Sequence, residues 1–124
     1  SDSPGSQAYP YPLNKLYPDK GNFIAFIGNT SSRSLVRECV GSFRKSCHFP
    51  SEGASLPFVI PGVGWSDHWS YSKEGYPSVM VTDTATFRNP NYHRSTDTVD
   101  KLDFKKMAIV VDGLAKVVRE LSDK

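Results

Sequence analysis

The segment Asn22–Gly28, "NFIAFIG", is the tightest constraint on the fold. Its apolar residues run almost without a break and stop at Gly-Asn, the signature of a short strand buried on both faces. Behind it comes "TSSRSLVRECVGSFRKS". Here Leu35, Val36, Cys39, Val40 and Phe43 recur at helical spacing while Arg33, Arg37, Glu38, Arg44 and Lys45 take the other side. A buried strand followed at once by an amphipathic helix requires a layered sheet, because neither apolar surface can be covered alone.

The rest of the chain continues the alternation. Thr30 or Ser31 is predicted to cap the first helix. "PSEGAS" reads as a loop, and "LPFVIPG", with prolines near both ends, as a second short strand. "WSDHWSYSKEGYP" predicts a short helix capped by Ser66 or Asp67, ended by Gly75 and barred from continuing by Pro77. "SVMVTD" is a third strand. The clearest helix is "LDFKKMAIVVDGLAKVVRELSDK", capped by Asp103. Phe104, Met107, Ala108, Val111, Leu114, Val118 and Leu121 are expected on its core face, widened by Val110 and Val117.

The expectation is an α/β fold, a three-layer α/β/α arrangement with about three strands alternating with three helices. Residues 1–19, with four prolines and three tyrosines, read as an extended arm, and 20–124 as the domain. Three strands are few, so the sheet is predicted to belong to a larger one or to dimerise through its edges.

Composition excludes some classes. A formal charge of +2, with basic residues scattered among carboxylates, gives no nucleic-acid footprint. No apolar run approaches the ~20 residues of a membrane span. The first residues lack both a secretory signal pattern and a Met, so the N-terminus looks cut. Cys39 and Cys47 would lie about 12 Å apart along a common helix, beyond the ~7 Å reach of a disulfide, and read as reduced thiols.

Three stretches can carry chemistry. "GVGWSDHWSY" places Asp67 and His68 where a strand gives way to a helix, a common ligand position in α/β folds. A first-turn Asp also serves the helix dipole whatever the function. "NPNYHRSTDT" places His93 in a polar loop, where an imidazole is either an ordinary surface group or a metal ligand. Asp97, Asp100 and Asp103 read as helix capping and solvation.

Taken together, these stretches resemble one family. "GWSDHWSYSKEGYPSVMVTD" followed by "NPNYHRSTDTVDKLDFKKMAIVVDGLAKVVREL" is similar to the C-terminal half of the co-catalytic dizinc aminopeptidases. These include secreted bacterial leucyl aminopeptidases and are related to glutaminyl cyclases. "GNFIAFIGNTSSRSLV" resembles the strand and helix before that block, so the likeness runs over roughly residues 20–122 and makes the sheet a partial zinc-peptidase sheet.

The resemblance implies that His93 is a zinc ligand. Asp67, His68 and Asp97 would order the site, and Met80, Phe87 and Tyr92 would line a substrate pocket suited to a hydrophobic first residue of a peptide. It implies two zinc ions that activate water and polarise the scissile carbonyl, a glutamate base, a peptide substrate, and an extracellular or periplasmic location. The family's His-x-Asp and Glu-Glu pairs have no counterpart in these residues, and a Tyr that some relatives place before Ser-Asp-His is Val63 here. The expected role is therefore one zinc ligand and part of a pocket, with no catalytic base in this chain and no activity alone. The partner would be a missing N-terminal half or a second copy. The alternative is a non-catalytic α/β interaction module that pairs through its sheet edge.

Overall fold

The structure is a computed structural model that describes residues 23–56, 67–83, 94–96, 98–101 and 103–123. In chain order the elements are β1 (Ile24–Gly28), α1 (Arg33–Ser46), β2 (Ser51–Ser55), α2 (His68–Lys73), β3 (Met80–Thr82) and α3 (Phe104–Ser122), with single 3-10 turns before α1 and α3. The sheet order is β2-β1-β3. β1 pairs with β2 in parallel, Phe26 opposite Gly53, and with β3 antiparallel, Phe26 opposite Val81. The α/β class expected from the alternation is therefore present, with a mixed sheet.

The core lies between β1 and α1. Phe26 and Phe43 are fully buried and meet edge to face, ring centroids 5.3 Å apart, a geometry that suits the ring quadrupoles. Val36, Cys39, Val40 and Val117 complete the cluster. Burial, with Glu38 beside it, pushes the Cys39 thiol up from its ordinary value of 9.0, so it stays protonated at neutral pH. Cys39 and Cys47 are both free thiols, as expected, although α1 ends at Ser46 and Cys47 is extended, so the two do not share a helix.

The segment read as a loop, "PSEGAS", is largely a strand. Its backbone runs on from β1's ladder: Ile24 N–H donates to Pro50 O at 3.0 Å and Leu56 N–H to Gly28 O at 2.9 Å. Small residues hid this, because β2 carries no apolar run. The smallness is itself required. A Cβ on Gly53 would stand 2.8 Å from a Val40 methyl and 3.3 Å from a Val36 methyl, so only glycine lets β2 lie this close beneath α1. The strand predicted at "LPFVIPG", the arm at 1–19 and Ser66 lie outside the described residues.

Helix starts differ in detail from the expectation. Thr30–Ser32 form a 3-10 turn, and α1 begins at Arg33 without a side-chain cap. Asn29 accepts instead from the hydroxyls of Ser31 and Ser32, at 2.9 and 2.8 Å. Asp67 stands at the cap position of α2 but makes no capping hydrogen bond there. Asp103 does cap α3, its carboxylate accepting from Lys106 N–H at 3.0 Å. Gly75, with φ +89°, occupies the left-handed conformation just past α2, as predicted for its end.

The packing of α3 is rotated from the expected face. It crosses α1 at Gly113, where an added Cβ would meet the Phe43 ring at 2.7 Å and Cys47 Cβ at 2.9 Å. That close approach turns Val117 inward with Leu114 and Leu121 beside it. Phe104, Met107, Val111 and Val118, expected in the core, are exposed, Val118 by 67%. Beside the crossing, Glu120 accepts from Ser42 Oγ at 2.6 Å and from Lys45 Nζ at 3.0 Å.

Two glycine substitutions should have opposite signs. Gly113→Ala forces a methyl into the rigid Phe43–Cys47 contact and should cost about 1–3 kcal/mol. Gly41→Ala, in α1 with nothing within 4 Å of the new methyl, should add up to about 1 kcal/mol through helix propensity. Urea unfolding of the two variants measures both.

Candidate metal and substrate site

Asp67 and His68 open α2, and Met80 opens β3. Asp67 is exposed and His68 is buried. Met80 is half-buried and lies opposite Ile27 in the sheet, so it sits one step from the end of the central strand. His93, Asp97, Phe87, Tyr92 and Val63 lie outside the described residues.

A chain of hydroxyls fixes α2 against the end of β1. Ser78, just before β3, donates its backbone N–H to Ser32 Oγ at 3.1 Å, and Ser32 Oγ donates onward to Asn29 Oδ1 at 2.8 Å. The Ser78 hydroxyl donates to the His68 carbonyl at 2.7 Å. That spends its single proton, so in its 2.5 Å contact with Ser72 Oγ it accepts. Asn29, Ser32, Ser78, His68 and Ser72 thus form one ordered relay joining β1, the turn before α1, α2 and the entry to β3.

Close approach makes the relay possible. A Cβ on Gly28 would lie 3.1 Å from both Ser32 Cβ and Ser78 O, and 2.9 Å from a Val36 methyl. Ser32 is fully buried, so its hydroxyl needs these partners to offset the loss of water. On the outer side of α2, the Lys73 ammonium lies 4.8 Å from the Trp69 ring centroid, a cation–π contact.

Relay residues were not singled out from the sequence. "GN" at the end of an apolar run was the available signal, since a glycine there permits backbone to approach backbone. The serines themselves follow no spacing rule, because their partners are up to 46 residues apart.

Among the described residues, no three His, Cys, Asp or Glu side chains converge closely enough to hold a metal ion. They do not by themselves furnish a zinc site.

Residues 19–118 match the sequence profile of peptidase family M28. The chain belongs to that family. It is 43% identical over 113 residues to an uncharacterized Escherichia coli K12 protein, YfbL, covering 90% of this chain and 35% of that one. It is 28% identical over 111 residues to leucine aminopeptidase 1 of Arthroderma otae, covering 89% of this chain and 28% of that protein. A probable leucine aminopeptidase of Arthroderma benhamiae is 44% identical over 57 residues, covering 44% of this chain and 16% of its own length. The chain thus spans about a third or less of the length of these relatives. No solved structure matches it. Zinc is the metal that the M28 family implies.

The relay makes a testable claim about this M28 chain. Ser32→Ala removes the acceptor of the Ser78 N–H, while Asn29 Oδ1 keeps Ser31, and should cost about 1–3 kcal/mol. Amide hydrogen exchange at Ser78 should speed up with it, while exchange at Val117, in α3, changes only by the global loss. Unchanged exchange at Ser78 would dissolve the relay.

Proposed function

We propose that this chain is the C-terminal portion of a zinc-dependent aminopeptidase, supplying one zinc ligand, His93, and part of the wall that receives the first side chain of a peptide. The match of residues 19–118 to the M28 family carries this reading, and the leucine aminopeptidase names of several relatives support its choice of substrate end. In it, Asp67, His68 and Asp97 hold the site in order, and Met80, Phe87 and Tyr92 face the substrate. The relay through Ser78 supports the ordering role, because it locks the start of α2 to the end of the central strand.

The remaining ligands and the base would come from a preceding segment, where the family carries His-x-Asp and Glu-Glu. Two features support such a partner. The chain covers 35% of its E. coli relative. The exposed stripe of Phe104, Met107, Val111 and Val118 is apolar surface of the kind that another layer buries. The chain alone would then bind no zinc pair and hydrolyse no peptide, and the complete protein would act outside the cytoplasm.

A second reading, a non-catalytic module that pairs with another copy, is favoured by the sheet edge. Among the described residues β3 has no strand on its outer side.

Leucine p-nitroanilide separates the readings. The purified chain with added zinc should release no nitroaniline, whereas a polypeptide extended upstream through its own gene to include both missing motifs should. In the extended protein His93→Ala should lower kcat/KM by at least about 100-fold. Hydrolysis by the 124-residue chain itself would end the first reading, and an extended protein that is inactive and dimeric would favour the second.

A further inference from the structure

One face of α3 is left uncovered by the fold. Phe104, Ala108, Val111, Ala115 and Val118 are all exposed, Phe104 and Val111 by 58% each. They follow one another at alternating spacings of four and three residues, the spacing of a coiled-coil seam. At 3.6 residues per turn all five fall within about 80° of one another, roughly opposite Gly113, where α1 crosses. We propose that this face pairs with the same face of a second copy of the chain. The two α3 helices run antiparallel about a two-fold axis, with Phe104 against the second copy's Ala115 and Ala108 against its Val111.

Three observations point to that occupant. The first is the seam itself. α3 already turns Val117, Leu114 and Leu121 toward the core on its α1 side. A helix resting on one neighbour needs a single apolar stripe, whereas this one carries a second beside the first. An exposed stripe continuous with a packed one marks a further contact.

The second is size. Large and small residues alternate along the seam: Phe104, Ala108, Val111, Ala115. A parallel pair would set Phe104 against Phe104 and Ala108 against Ala108, so the spacing between the helices would have to widen and narrow at successive layers. The antiparallel pair sets a large residue against a small one in every layer, which lets the two surfaces interdigitate at one spacing.

The third is charge. Lys105 and Asp112 border the seam on the same side, seven residues apart. In the antiparallel register each Lys105 faces the other copy's Asp112, so the two-fold axis makes two ion pairs. Asp112 Oδ2 already lies 2.9 Å from Lys116 Nζ, and a carboxylate accepts from more than one donor. Sliding the pair by one heptad, to set Ala108 against Val118, would bring Lys105 against Arg119 and Asp112 against its own copy. Both contacts are between like charges, so charge selects the register.

The face is therefore complementary to itself in size and in charge, which decides for a second copy over an unrelated apolar layer. Where a preceding segment lies on the same stripe, the two occupants exclude each other. The proposal concerns the 124-residue chain and does not rest on the peptidase reading.

Sedimentation equilibrium of the 124-residue chain over a range of concentrations tests it, and should show a reversible monomer–dimer equilibrium. Lys105→Glu and Asp112→Lys should each weaken the dimer roughly tenfold or more. An equimolar mixture of the two variants should restore it, because both interfacial pairs are then of opposite sign. The double variant Ala108→Leu/Ala115→Leu adds apolar surface, yet it should also weaken the dimer roughly tenfold, because it fills the positions that receive Phe104 and Val111. Its thermal midpoint at low concentration should not fall, since leucine nearly equals alanine in helix propensity. A chain that stays monomeric to millimolar concentration would overturn the proposal and leave the stripe to another layer. So would a dimer that none of these variants weakens, which would put the contact elsewhere, or a mixture of the charge variants that pairs no better than either alone.

Discussion

The fold depends on how closely α1 lies against β1 and β2. Phe26 and Phe43 touch edge to face in the centre of that contact, and glycines set its spacing on both strands. Gly28 admits Val36 and Ser32 at the end of β1, and Gly53 admits Val36 and Val40 on β2. A methyl at either place would push the helix away and open the only fully buried aromatic contact among the described residues. Interiors packed at crystal-like density do not absorb such a shift without loss.

The same closeness determines what happens at the end of the central strand. Because α1 begins where it does, Ser32 is held under the strand end and can receive the Ser78 N–H. Ser78 in turn holds the first residue of α2 by its carbonyl. The position of the Asp67–His68 pair therefore follows from helix–sheet packing, through two serines and an asparagine. On the far side, the crossing of α3 follows the same rule: Gly113 decides which face of that helix turns inward.

Elements with a strong apolar period were legible in the sequence. β1, α1, α2, β3 and α3 all stand close to where the sequence put them, and Asp103 opens α3 and Gly75 closes α2 as their chemistry suggests. β2 was not legible, because "SEGAS" forms a strand through backbone pairing and close approach, neither of which leaves an apolar pattern. The face of α3 was misjudged for a related reason. Periodicity weighs Met107, Val111 and Val118 above Gly113, yet the glycine wins because it allows the shorter contact. Of the candidate site, Asp67, His68 and Met80 could be placed, while the relay beneath them joins residues too distant in sequence for any spacing rule.

Membership of the M28 family sets the chemistry against which the described residues are read. Asp67 and His68, to which the proposed function gives the ordering role, have defined places at the start of α2, and no metal-holding group of three His, Cys, Asp or Glu side chains is found among the described residues. The central claim is that the chain forms one side of a zinc centre and leaves the other to a preceding segment. Zinc titration of the isolated chain by calorimetry tests this most directly. The account predicts weak uptake of a single ion, far from the ~10 kcal/mol of a complete protein zinc site, and its loss in His93→Ala. Two tightly bound zinc ions per chain, or uptake unchanged by His93→Ala, would contradict it.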